Sequence, residues 1–237
     1  MLCETLAGMR TGALAILLAS AALLAGCGGS GAKSNGEAQK AAQQVATDAL
    51  DAAVAAGAVH VSGTIVSSGT HLTLDIRIVK GKGGSGEMSE QGLKFQLVRI
   101  GGKAYIKGSD AFYKKFAGAG VATLLHDKWL SGSATTGSLA SLTSLTDIAK
   151  LFSGALGSHG TLKNDGETTY KGQKAVAIED ATKGGTLYVA ATGTPYPLAI
   201  VSPNNGKTGS ITFDDWNKAV SITAPKGAVD VGSLGKN

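Results

Sequence analysis

His71-Leu72-Thr73-Leu74-Asp75-Ile76-Arg77-Ile78-Val79 decides the fold of this chain. Leu72, Leu74, Ile76 and Ile78 alternate with Thr73, Asp75, Arg77 and Val79, a period of two that a half-buried strand requires. One dry face and one wet face belong to an antiparallel sheet. Outward from this strand, residues 81–84 (GKGG) form a turn and residues 86–89 return. A further hairpin follows, with strands at 93–100 and 103–107 joined by Gly101-Gly102. On the other side, Val59, Val61, Thr64 and Ile65 mark a preceding strand with one break in its alternation.

Before these strands the period is helical. Ala41, Ala42, Val45, Ala46, Ala49, Leu50, Ala53 and Val54 recur on one face of residues 37–56, and Gly57 stops the helix. Residues 111–125 and 139–156 read as two further helices, separated by a Ser/Thr/Gly-rich loop at 131–138. Strand patterns resume near Gly160, at 168–170, 174–179, 186–191, 197–201, 209–213 and 219–223, each bounded by Gly, Pro, Asn or Asp. The fold class is α+β, a large antiparallel sheet with few helices to cover it. Twist makes a sheet of that many strands curl, and a curled sheet holds its helices in the concavity.

The N-terminus carries an address. Residues 11–24 are almost wholly Ala, Leu, Ile and Gly, Arg10 supplies the positive charge before them, and Leu24-Ala25-Gly26-Cys27 closes the run. That is a secretory leader ending in a lipobox, with the Cys27 thiol placed to take a diacylglycerol. The run is shorter than the roughly 20 apolar residues of a permanent span. Residues 1–26 are therefore expected to be a lipoprotein signal peptide and Cys27 the lipidation site. Residues 27–37, rich in Gly and Ser, are a flexible linker by composition. Residues 38–237 form the domain.

Composition excludes several functions. Cleavage before Cys27 removes one cation, Arg10, and one anion, Glu4, so the formal charge stays +5. That charge is too small and scattered to argue for nucleic acid, although it suits a protein beside anionic headgroups. Cys3 leaves with the leader, so the domain has no disulfide. Lys80 to Gly86 (KGKGGSG) and Asn204 to Thr208 (NNGKT) read as hairpin turns; a phosphate loop ending at Thr208 would need glycine where Val201 stands. His60, His71, His126 and His159 have no metal-ligand spacing, and no Ser sits in a GxSxG elbow. The adjacent Asp214-Asp215 reads as a turn, since neighbours on an extended chain point oppositely. No catalytic residue, cofactor or metal is expected.

What remains is apolar. Leu72, Leu74, Ile76 and Ile78, with Phe95, Leu97, Leu187, Val189, Leu198 and Ile200, line one face of the sheet. For any one of these residues a filled core is the ordinary reading, and the stripe alone does not separate a solid interior from a hollow one.

Residues 209–231, GSITFDDWNKAVSITAPKGAVDV, resemble the end of the LppX/LprG-type actinobacterial lipoproteins, which are related in fold to the LolA and LolB carriers. The matching elements are a strand ending at Phe213, Asp-x-Trp-Asn at 214–217, a Val-x-Ile strand at 220–222 and Ala224-Pro225. GTLYV at 185–189 followed by PYPL at 195–198, KAYIK at 103–107 and Val61-Ser62-Gly63 complete the series. The resemblance implies a half-barrel of antiparallel strands wrapped around helices, enclosing an apolar cavity lined by the ten residues above. It implies a membrane-anchored protein on the extracytoplasmic face of the cell membrane that binds and carries acylated lipid or glycolipid for envelope transport, with a transport partner and without catalysis. Helices within 111–156, with Gly118, Gly120 and Gly154, would frame the mouth and shift as ligand enters. The alternative is the same fold with a filled core, acting as an envelope scaffold or partner-binding lipoprotein.

Overall fold

The computed structural model describes residues 32–67, 70–136, 139–204, 207–218 and 220–233. Cys27 and the expected leader lie outside them. Among the described residues, twelve strands form one open sheet. In chain order they are β1 (Ala58–Ser67), β2 (Thr70–Val79), β3 (Gly83–Glu90), β4 (Leu93–Ile100), β5 (Lys103–Gly108), β6 (Leu130–Ser133), β7 (Leu162–Tyr170), β8 (Gln173–Asp180), β9 (Thr186–Ala190), β10 (Pro197–Asn204), β11 (Lys207–Asp214) and β12 (Val229–Asp230). Their order across the sheet is β12-β6-β5-β4-β3-β2-β1-β11-β10-β9-β8-β7. Every pairing is antiparallel except the short parallel contact of β12 with β6. Two meanders therefore meet where β1 pairs with β11, and the result is an α+β half-barrel.

Register carries the apolar stripe across this junction. Val61 faces Ile76 on one side and Phe213 on the other, while Ile200 lies between Leu187 and Ile211. These residues share the inner face. Gly63 sits among them with φ +145°, and a Cβ there would lie 2.0 Å from the Ser210 carbonyl oxygen. Only glycine lets β1 approach β11 so closely.

The helices are α1 (Ala42–Ala55), α2 (Asp110–Ala117), α3 (Ala119–Leu125), α4 (Ala140–Thr143) and α5 (Ile148–Leu156). The expected helix at 111–125 is broken into α2 and α3 at Gly118, whose φ is +86°. The expected helix at 139–156 is interrupted by a 3-10 turn at Ser144–Thr146, after which Asp147 caps α5 by accepting from the Lys150 N–H. Two further expectations fail. β6 runs into the segment read as loop, and residues 220–222 form no strand, so that the alternation of Val220 and Ile222 has no partner strand. The chain before α1 is also tied down. Ser34 bridges to Thr192, the Asn35 N–H donates to the Ala191 carbonyl, and Glu37–Gln39 form a 3-10 turn. Ser34 and Asn35 thus bond to the sheet.

α1 and α5 fill the concavity. The buried stripe of α1 is Ala42, Val45, Ala46, Ala49 and Ala53, whose small side chains let the helix lie close to the sheet. Val45 and Ala49 pack with Val176, Ile178 and Val189. α5 contributes Ile148, Phe152 and Leu156 to the larger cluster of Val59, Val61, Leu74, Ile76, Ile78, Met88, Phe95, Leu97, Ile106 and Phe213. Phe152 is fully buried, its ring 4.8 Å from that of Phe213 and 5.5 Å from that of Trp216.

Candidate functional site

Because neighbouring strands alternate in direction, one end of the half-barrel collects the β5 terminus with α2, the β8–β9 turn, the close of β10 and the start of β7. At this end a recess of about 270 Å³ opens between the helices and the inner face. Its apolar floor is Ala46 of α1, Leu156 of α5, Leu162 of β7, Ile178 of β8, Leu187 of β9 and Ile200 of β10. Ser158, His159, Asp180, Lys183 and Ser202 form its polar rim. The volume lies just below the roughly 300–1,000 Å³ of small-molecule sites, and the plan is theirs: an apolar floor with a few convergent polar groups.

The rim is built by the turns that close the strands. The Asp180 carboxylate accepts from the backbone N–H groups of Gly160 (2.8 Å), Lys183 (2.8 Å) and Thr182 (3.0 Å). The bonds from Gly160 and Lys183 lead in holding its carboxyl below the usual carboxylate range. Its charge is thereby absorbed by backbone donors. Lys183 Nζ donates to Ser158 Oγ at 3.2 Å, leaving a cation beside the opening. His159 donates from Nδ1 to the Gly160 carbonyl at 2.8 Å.

α5, which reaches the recess with Leu156, is fastened at one end. Arg99 of β4 donates from Nε to Thr146 Oγ1 (2.8 Å) and from Nη2 to the Thr146 carbonyl (2.7 Å). Thr146 is fully buried and donates its hydroxyl to the Thr143 carbonyl at 2.6 Å. The turn that starts α5 is therefore locked to the sheet, whereas its last turn, carrying Leu156, ends over the recess.

Of the ten residues read as cavity lining, the structure brings Leu187 and Ile200 to this recess, both half-buried. Leu74, Ile76, Ile78, Phe95 and Leu97 are buried in the cluster to which α5 contributes, with Leu72 half-buried at its margin. Val189 is buried against α1. Leu198 is buried at the β9–β10 register shift and belongs to neither apolar cluster. The inner face that the sequence left open between solid and hollow is thus mostly filled, with a hollow at one end.

A larger hollow, about 450 Å³, lies on the opposite face of β2 to β5, lined by Thr73, Asp75, Glu87, Lys94, Gln96 and Lys107, with Asp127 beside them. Charges of both signs occupy it, including the Lys107–Asp127 pair at 2.9 Å, alongside Leu74, Met88 and Phe95. The fold also gathers groups that spacing could not pair. His60 Nδ1 lies 2.7 Å from Asp214 Oδ1 and its Nε2 2.9 Å from Asp75 Oδ1, with Asp215 beside them. Asp215 is already engaged by Lys218 and Arg77, which works against a cation there.

No protein-family model matches the chain, and no curated protein matches it in sequence. Solved structures do. LprF from Mycobacterium bovis superposes with a TM-score of 0.50 at 15% identity, covering 78% of this chain and 96% of that one. The chain has the LprF fold. The Mycobacterium tuberculosis lipoprotein LppX gives 0.47 at 19% identity over 77% of this chain and 98% of its own. An uncharacterized conserved protein of Thermus thermophilus gives 0.41 at 13% identity, over 81% and 99%. The LprF fold agrees with the resemblance read from residues 61–63, 103–107, 185–189, 195–198 and 209–231.

Proposed function

We propose that this protein is a lipoprotein held by acylated Cys27 on the extracytoplasmic face of the cell membrane, where it takes up the tail of an acylated lipid or glycolipid and carries it through the envelope without catalysis. The observation that carries this reading is the apolar recess between Leu156 of α5 and Leu187 and Ile200 of the inner face, continuous with a core whose main filler is one short helix. α5 is clamped at its start and free of that clamp at its end. Swinging its last turn outward would extend the recess along Ile178, Leu187 and Ile200 and seat an alkyl chain where Leu156 now rests.

Magnitudes allow the exchange. A buried methylene contributes about 0.8 kcal/mol, so eight of them contribute about 6 kcal/mol against the cost of association and of displacing Leu156. The polar rim then holds the headgroup at the water boundary, with Lys183 available to an anionic one. The LprF fold supports the reading, as do the leader and lipobox of the sequence.

A filled-core scaffold is the second reading, favoured by the full burial of Phe152 at the centre of the concavity. Mass spectrometry of organic extracts from the purified chain separates the two. The carrier reading expects an amphiphile in near-stoichiometric amount, reduced in Leu187→Glu, which puts a charge on the floor. Extracts free of lipid after exposure to membrane extract, with Leu187→Glu behaving as the native chain, would leave the scaffold.

A further inference from the structure

We infer that the α2–α3 pair is a membrane-docking surface that sets the open end of the half-barrel on an anionic bilayer. Phe116 and Leu124 are 60% and 71% exposed, the two large apolar side chains that stand out in solvent among the described residues. Phe116 continues an aromatic series from the interior: its ring is 4.7 Å from that of Phe112, which is 5.0 Å from that of buried Phe95. Lys114 and Lys115, beside Phe116, are exposed.

α2 is tied to the sheet and to the segment before β6. Tyr113 is buried, its hydroxyl accepting from the Gly108 N–H at 2.9 Å and donating to the Lys128 carbonyl at 3.1 Å. Ser109 caps α2 by accepting from the Phe112 N–H. Protruding apolar groups on a fixed helix beside lysines match the interfacial zone of a bilayer, where the apolar groups enter the acyl boundary and the lysines meet anionic headgroups. That charge complementarity selects a lipid surface over a second copy of this chain, which carries the same lysines and would meet them with repulsion.

Topology gives the contact a use. α2 leaves β5 at the end of the half-barrel where the recess opens, so docking there sets the opening against lipid. Ser34 joins the sheet at the other end, through Thr192. Residues 27–33 extended reach about 24 Å, close to the length of an eight-residue strand, so the tether permits the domain to lean onto the membrane that anchors it. The tether rests on the acyl-anchor reading; the docking surface does not.

Amide hydrogen exchange of the full chain, with phosphatidylcholine vesicles and with vesicles also containing phosphatidylglycerol, tests the inference. Exchange across residues 110–125 is expected to slow several-fold with phosphatidylglycerol alone, to recover in high salt, and to be unaffected by lipid in the Phe116→Ser/Leu124→Ser variant. Both sites are exposed, and an unchanged melting temperature verifies that the variant folds. Equal exchange in both vesicle types would overturn the inference. So would protection that grows with protein concentration without vesicles, which would assign the surface to a second copy. Bound lipid in the extracts with no docking here would sink this inference and spare the carrier reading.

Discussion

Gly63 is the residue on which the junction of the two meanders turns. Its φ of +145° and the 2.0 Å between a built Cβ and the Ser210 oxygen mean that alanine would push β1 from β11, the seam of the two meanders. Gly63→Ala should therefore cost about 3 kcal/mol, read as a lower urea midpoint at unchanged slope. Asp180 offers a pH test. Its folded pKa is depressed, chiefly by the N–H bonds from Gly160 and Lys183, so its contribution is present above the ordinary value of 3.8 and disappears as pH falls through the folded value. Asp180→Asn should weaken the native chain at neutral pH and flatten its loss of stability below about pH 4, measured by thermal melts across pH. An Asn variant whose melts track the native chain at every pH would show that the rim turn does not depend on that charge.

At the scale of elements, α5 is decisive. Thr146→Val removes the hydroxyl that accepts from Arg99 and should cost about 1–3 kcal/mol, with faster amide exchange in the first turn of α5. Exchange confined to its last turn would instead mean that the clamp lies elsewhere. Elements differ in how plainly the chain announces them. β2 was legible because its alternation is local. β6 was not, because Leu130-Ser131-Gly132-Ser133 has no periodicity and becomes a strand only through pairing with β5 and β12. Val220 and Ile222 show the converse, alternation without a partner. The recess divides the same way. Leu187 and Ile200 lie on strands and were readable, whereas Ala46, Leu156, His159 and Lys183 meet them only because strand ends and helix ends converge.

For the whole molecule, the two proposed tasks, tethering and lipid uptake, fall at opposite ends of the half-barrel. The chain from Cys27 joins at the Ser34–Thr192 end, and the recess opens at the other, beside the helix pair that bears Phe116 and Leu124. Between them lies a core packed around α1 and α5, and in the proposed mechanism α5 is the part that moves. The most direct test is photo-crosslinking of a fatty acid bearing a diazirine at the chain end, mapped by peptide mass spectrometry on the full-length protein. Adducts on Leu156, Leu162, Ile178, Leu187 and Ile200, competed away by unlabelled fatty acid, are the predicted result. Adducts found only on α2 and α3, or none that competitor removes, would contradict an interior that opens to receive a tail.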